Sequence, residues 1–167
     1  MNPPIVNSFY KSNIPQSMLD AQKQVFDHLA IPLKQWKDDT SSHGDWMDNV
    51  IAQTDSDILV FADIDAFPLK RDAFDRVVKQ AKNDIIVGLA QVTNHKDPTR
   101  VYAAPMFLAF KRSVFEQLGS PSMLPTKSGD VAQTLTDLAL QHGVGTDLIY
   151  PTFSMLPRWA LANHGVY

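Results

Sequence analysis

Two aspartates at the end of an apolar run carry the most chemistry in this chain. Ile58-Leu59-Val60-Phe61-Ala62 leads directly into Asp63-Ile64-Asp65-Ala66-Phe67-Pro68. An uninterrupted apolar run of this kind is expected of a central parallel strand, and ligands of open α/β sheets bind beyond the carboxyl ends of such strands. Alternation along an extended segment would put Asp63 and Asp65 on one side, with Ile64 turned toward the core. Two carboxylates that close repel unless a cation or protons intervene. A hard divalent ion, Mg²⁺ or Mn²⁺, suits oxygen donors and also takes phosphate oxygens. The competing reading is a solvated acidic strand end, with one Asp capping the turn at Pro68. The chain has no Cys, so disulfides, thiolate–metal sites and Cys nucleophiles are excluded, and any metal must be held by oxygen or imidazole.

The elements that would position these residues alternate between short apolar runs and helical patterns, which implies an α/β sheet. Strands are expected at Ile5–Phe9, Leu33–Lys37, Ile58–Ala62, Ile85–Leu89, Val101–Phe110 and Thr146–Tyr150. The fifth of these should be bulged at Pro105, because proline cannot donate to a ladder. Helical spacing of Met18, Ala21, Val25 and Leu29 marks a helix over 16–30. Ser42 and Asp45 form a capping-box-like start for a helix with Trp46, Met47, Val50 and Ile51 on its apolar face. Ala73, Phe74, Val77, Val78 and Ala81 mark the next helix. Ser113 is placed to cap a short helix stopped by Gly119, and Val131, Leu135, Leu138 and His142 define a last helix closed by Gly143. Polar loops are expected at Thr93–Arg100 and Ser120–Ser128, and an irregular tail from Pro151.

At 167 residues and 44% apolar composition, with no repeat or linker, the chain reads as one α/β domain spanning 1–167. Its net charge of −3 gives no field to attract nucleic acid. No apolar run approaches the ~20 residues of a membrane span, and Met-Asn-Pro-Pro is not a secretion signal, so a cytoplasmic protein is expected. No feature fixes an oligomeric state. Neither G-x-G-x-x-G nor G-x-x-x-x-G-K occurs, so a carboxylate-bound metal would be the main phosphate anchor.

The stretch Asp57–Leu69 resembles the D-x-D region of GT-A-fold glycosyltransferases: an apolar strand, D-x-D, a small residue, then Pro. Ala103–Gly119, with Lys111-Arg112 and Phe115-Glu116-Gln117-Leu118-Gly119, is similar to that family's strand-then-helix segment. Gly129-Asp130, a helix to His142-Gly143, a strand and Pro151-Thr152 follow in the family's order, so the likeness covers roughly residues 45–165. It departs where Ala103-Ala104 replaces the usual glycines, and Asp38-Asp39-Thr40-Ser41-Ser42 only partly echoes an Asp-Asp-x-Ser-x-Asp donor signature. The resemblance implies a GT-A-like, mostly parallel, twisted sheet flanked by helices. It also implies transfer of a sugar from a UDP- or GDP-sugar donor to an acceptor the sequence does not identify, with Mn²⁺ or Mg²⁺ as cofactor. Asp65 would ligate the metal, and Asp63 would contact ribose or reach the metal through water. His164 matches a third metal position, Asp130 the general base of inverting members, and Asp38 and Asp39 a carboxylate that recognises base or ribose.

Each assignment has a plainer counterpart. Asp130 also suits the positive end of a helix dipole, Asp38-Asp39 a charged turn, and His164 a solvated tail residue. Trp159 reads as an anchor of the tail, His43 as an exposed neighbour of a helix cap, and His95, Lys96 and Arg100 as a solvated loop. Lys111-Arg112 reads as a charged strand end, and His28 and His142 as ordinary helix residues. Three other functions share the D-x-D pattern. A non-catalytic GT-A-like domain would bind nucleotide or a partner without transfer. A haloacid-dehalogenase-like phosphatase would use the first Asp as nucleophile, although it normally carries the motif on its first strand. A lesion-bypass polymerase has a similar signature, but this chain is short and acidic for one.

Overall fold

Ile58–Asp63 is apolar at successive positions because it is covered on both sides. In the computed structural model, which describes residues 3–93, 96–154 and 165–167, this strand (β3) lies inside a six-stranded sheet between β1 (Val6–Tyr10) and β5 (Asp97–Lys111). Leu59 and Phe61 face one apolar layer, and Ile58, Val60 and Ala62 face the other. β2 (Leu33–Lys37), β4 (Ile86–Thr93) and β6 (Thr146–Ile149) complete the order β2-β1-β3-β5-β4-β6. Only β5 runs against the rest, pairing antiparallel with both β3 and β4. The result is a mixed α/β fold with a mostly parallel sheet.

Helices α1 (Gln16–His28) and α3 (Arg71–Lys82) cover one face, burying Phe26, Phe74, Val77 and Val78. Helices α2 (His43–Gln53), α4 (Arg112–Gln117) and α5 (Gln133–His142) cover the other, with Trp46, Met47, Phe115 and Leu135 in that layer. No helix among the described residues is long and apolar enough to cross a membrane.

The capping box on α2 forms as the sequence predicts: Ser42 accepts from the Asp45 N–H and the Asp45 carboxylate returns to the Ser42 backbone. The buried stripe of α1 does not. It consists of Leu19, Gln22 and Phe26, whereas Met18 and Ala21 are exposed. A fully buried glutamine inside the stripe shifts the apparent periodicity by one residue. In α5 the buried residues are Gln133, Leu135, Thr136 and Ala139, and again polar side chains occupy core positions.

Other boundaries move for local reasons. Ser113 does not cap α4, whose N-cap is Lys111 with no side-chain bond. Arg112 is no exposed strand end: its guanidinium donates to the carbonyls of Ile51, Thr54 and Ser56, tying α4 to the end of α2. Of the predicted loop 93–100, Thr93 belongs to β4 and 97–100 to β5, with Thr93 paired to Asp97. From Phe153 the chain is not simply irregular, because β7 (Phe153–Ser154) pairs antiparallel with β8 (Gly165–Val166).

β5 is bulged where Pro105 predicts it. Its pairing with β4 jumps from Gly88↔Leu108 to Leu89↔Ala104, and the Ala103 N–H turns to the Thr136 hydroxyl, at 3.1 Å. The bulge presses the strands together: a Cβ added to Gly88 would lie 2.7 Å from the Ala103 Cβ. Replacing Gly88 with Val should therefore destabilise the fold by about 1–3 kcal/mol through overpacking. Urea unfolding measures this, and Ala103→Gly should recover part of the loss in a Gly88→Ala background. Equal stability of Gly88→Val and the unsubstituted protein would show that the strands are not in close contact.

Candidate functional site

The D-x-D segment is a turn and not an extended run. β3 stops at Asp63, and the Ala66 N–H donates to the Asp63 carbonyl at 3.0 Å, closing a β-turn over 63–66. Alternation thus does not bring Asp63 and Asp65 together; the turn does. Ile64 stays half-buried at the rim and does not enter the core. Both carboxylates border a cleft of about 850 Å³ at the carboxyl end of the sheet, which also takes in Phe67, Met106, Ile149 and Tyr167. Asp65 is exposed.

Asp63 keeps 34% of its side-chain surface accessible, and that surface faces the cleft. Burial, and after it the neighbouring Asp65 charge, pushes its carboxyl up to about 7. Across from it, His43 Nε2 lies 3.8 Å from Asp63 Oδ1. His43 is not an exposed cap neighbour: its ring stacks on Phe9 at 5.8 Å and packs against Trp46 at 5.6 Å. Burial lowers its pKa to about 4, opposed by the charge of Asp130. Nothing in the local sequence marks His43 as a site residue; only the approach of α2 to β1 and β3 does.

Asp130 sits two residues ahead of the N-cap of α5, Ala132, which adopts a left-handed φ of 61°. It therefore does not cap the helix. Its carboxylate takes the Val131 N–H at 2.9 Å and a hydrogen bond from the buried Tyr102 hydroxyl, whose pKa is driven upward mainly by burial and then by the charges of Asp130 and Asp63. The Asp130 N–H donates to Gln133 Oε1, which also accepts from the Thr93 hydroxyl. Lys96 holds the preceding loop by donating to the carbonyls of Thr126 and Gly129, and Arg100 does so through Ser128 and Asp137. These two cations hold the loop under Asp130, with Lys96 still exposed and Arg100 partly buried. His95, Trp159 and His164 lie outside the described residues.

Asp38 and Asp39 follow β2 as expected, and both are engaged. Asp38 Oδ1 accepts from the Thr40 N–H and hydroxyl and from the Ser41 N–H, and hydrogen bonds from the side chains of Ser41 and then Thr40 hold its carboxyl well below the usual range. Asp39 spends both oxygens on Ser12, accepting from its N–H and its hydroxyl at 2.6 Å each, and these bonds lower its pKa.

Among the described residues, no group of three or more His, Asp or Glu side chains could hold a metal ion. The Asp63–Asp65 pair nevertheless suits a dication as a two-carboxylate anchor. Asp63 is poorly solvated, stands beside a like charge, and has only the neutral His43 facing it.

No protein-family model and no curated protein sequence matches the chain. Solved structures do match. A mannosyltransferase, PcManGT from Pyrobaculum calidifontis in complex with GDP-Man and Mn²⁺, superposes with a TM-score of 0.59 at 14% identity over 88% of this chain. This chain spans 55% of that protein's length. A197 from STIV matches with a TM-score of 0.53 at 14% identity, over 87% of this chain and 80% of its own. The 4-diphosphocytidyl-2C-methyl-D-erythritol synthase of Anaerococcus prevotii DSM 20548 gives 0.51 at 8% identity, over 87% and 88%. The fold is GT-A-like. At these identities the likeness is one of architecture, and it agrees with the sheet the motifs implied.

The Asp63–His43 pair makes a testable pH signature. An ordinary Asp titrates at 3.8 and an ordinary His at 6.5. With Asp63 at about 7, the folded state holds more protons than the unfolded state between about pH 4 and 7, so this group makes stability fall as pH rises there. With His43 at about 4, the folded state holds fewer protons between about pH 4 and 6.5, so stability rises with pH. The two slopes nearly cancel. Asp63→Asn should expose the rising slope and His43→Gln the falling one, relative to the unsubstituted protein, in urea unfolding from pH 4 to 8. Stability curves parallel to that of the unsubstituted protein would contradict the assignment.

Proposed function

We propose that this protein is a metal-dependent glycosyltransferase that moves a sugar from a UDP- or GDP-sugar to an acceptor hydroxyl. The observation that carries the reading is the Asp63–Ala66 turn, which presents two carboxylates to an open cleft at the carboxyl end of the central strand. Its GT-A-like architecture, shared with a mannosyltransferase solved with GDP-Man and Mn²⁺, supports it. Asp65 and Asp63 would hold Mn²⁺ or Mg²⁺, with His164 as the proposed third ligand. Once bound, the cation would anchor the diphosphate and offset the charge on the departing nucleotide.

The remaining roles fall to residues of the chain. Asp38 would contact a ribose hydroxyl, whereas Asp39 is occupied by Ser12. Asp130 would take the proton from the acceptor hydroxyl. Its backbone is fixed by Gln133 and its carboxylate by Tyr102 and Val131, so it approaches from a set direction. His43, neutral and wedged against Phe9 and Trp46, confines the Asp63 carboxylate from the opposite side.

Nucleotidyl transfer is a second reading, favoured by the match over 88% of the length of the diphosphocytidyl-methylerythritol synthase. Pyrophosphate released from a nucleoside triphosphate and a sugar phosphate would establish it; a sugar moved from a nucleotide-sugar to an acceptor hydroxyl, with the nucleoside diphosphate released, would establish the first.

Asp65→Ala should abolish Mn²⁺-dependent UDP or GDP binding while leaving the melting temperature of the free protein within a few degrees. Calorimetric titration tests this, and unchanged affinity would refute the cation site. Asp130→Asn should lower the transfer rate by about 10²-fold or more with donor affinity nearly unchanged. Equal rates would remove Asp130 from the mechanism, and binding without turnover in the unsubstituted protein would favour a non-catalytic domain.

A further inference from the structure

Beneath the D-x-D turn, on the side away from solvent, lies a glutamine that no apolar helix face requires. Gln22 is fully buried on α1, in line with Leu19 and Phe26. Its Nε2 lies 2.8 Å from the Asp63 carbonyl and 3.1 Å from the Ala66 carbonyl. Those are the first and last carbonyls of the turn that carries both carboxylates, so one amide nitrogen bridges its two ends. The carboxamide is itself fixed, because Oε1 accepts from Gln35 Nε2 at 3.1 Å, and Gln35 also donates to the Leu19 carbonyl at 2.9 Å. A chain of two carboxamides thus links β2, α1 and the tip of β3.

We infer that Gln22 is a positioning residue for the cation site: clipping both ends of the Asp63–Ala66 turn, it holds the two carboxylates in the spacing a divalent ion needs. The inference rests on the proposed cation site for its purpose, and on the hydrogen bonds alone for its geometry. The physical need is plain. Two carboxylates on a four-residue turn push it open whenever both are ionised and no cation is present, and a turn closed by a single backbone bond at a strand end has little to resist that push. Two further hydrogen bonds made in a dry environment, where an unmade bond is costly, resist it. A ligand held in advance by its supporting shell binds metal more tightly, and loss of such a partner typically weakens affinity 10- to 100-fold.

Gln22→Met keeps the length of the side chain and removes both donors. Val78→Ala, a buried change on α3 with no bond to the turn, controls for general loss of stability. Two quantities are measured at a temperature where all variants are folded: the Mn²⁺ dissociation constant, and hydrogen exchange at the Ala66 amide. In Gln22→Met, Mn²⁺ affinity should drop at least tenfold and Ala66 exchange should quicken at least tenfold, while Val78→Ala stays within twofold in both. Gln35→Leu, on the edge strand β2, frees the Gln22 carboxamide without removing it and should move both readouts at least threefold in the same direction, even if Gln22→Met fails to fold. Affinity and exchange within twofold of the unsubstituted protein in the glutamine variants would overturn the inference. No Mn²⁺ binding by the unsubstituted protein would instead sink the cation-site reading, leaving the exchange rates to decide whether Gln22 holds the turn.

Discussion

The carboxylate of Asp63 is the constraint around which the site is arranged. It projects from the end of a strand buried on both faces, into the cleft, beside a second carboxylate. An ionised group in that position is unfavourable unless something offsets it. In the free protein the offset comes from a proton, retained to about pH 7, and from a neutral imidazole that fills the facing space. A site that destabilises its own charge in this way is predisposed to a cation.

The rest of the architecture serves to keep that arrangement in place. β1 and β5 flank β3, so its tip cannot swing. The aromatic stack of Phe9, His43 and Trp46 closes one side. The reversed strand β5 carries Tyr102 to Asp130 past the bulge at Pro105, and this is how a residue from a distant loop reaches the same end of the sheet as Asp63. Two buried glutamines work at the two turns: Gln22 under Asp63–Ala66 and Gln133 beside Asp130. The second also receives the Thr93 hydroxyl, and its Nε2 has no partner among the described residues. Gln22 and Gln133 thus stand beside the two turns that carry carboxylates, whereas other buried polar side chains, such as Asn7 on β1 and Thr136 on α5, bond to strand backbone elsewhere.

Those glutamines also explain where pattern reading fails. Apolar periodicity locates α2 and α3 because their buried faces are apolar: Trp46, Met47, Val50 and Ile51 in one, Phe74, Val77, Val78 and Ala81 in the other. In α1 the same reading selects the exposed Met18 and Ala21, since Gln22 stands at a core position between Leu19 and Phe26, and in α5 it finds Leu135 and the partly buried Leu138 but misses Gln133 and Thr136. A polar residue satisfied by a distant carbonyl cannot be told from a solvent-facing one by its neighbours in sequence.

Local chemistry, by itself, determined the strands, the capping box before α2, the bulge at Pro105 and the placing of Asp63 and Asp65 at the end of a buried strand. Each of these follows from residues a few positions apart, through hydrogen-bond donors present or missing and from runs of apolar side chains. Tertiary structure alone decided that the two aspartates meet through a turn and not through alternation, that His43 faces Asp63, that Asp39 is bound to Ser12, and that Lys96 and Arg100 hold the loop under Asp130. Those contacts join segments tens of residues apart in the chain. Their energies depend on burial and direction, which exist only once the sheet has brought the segments together.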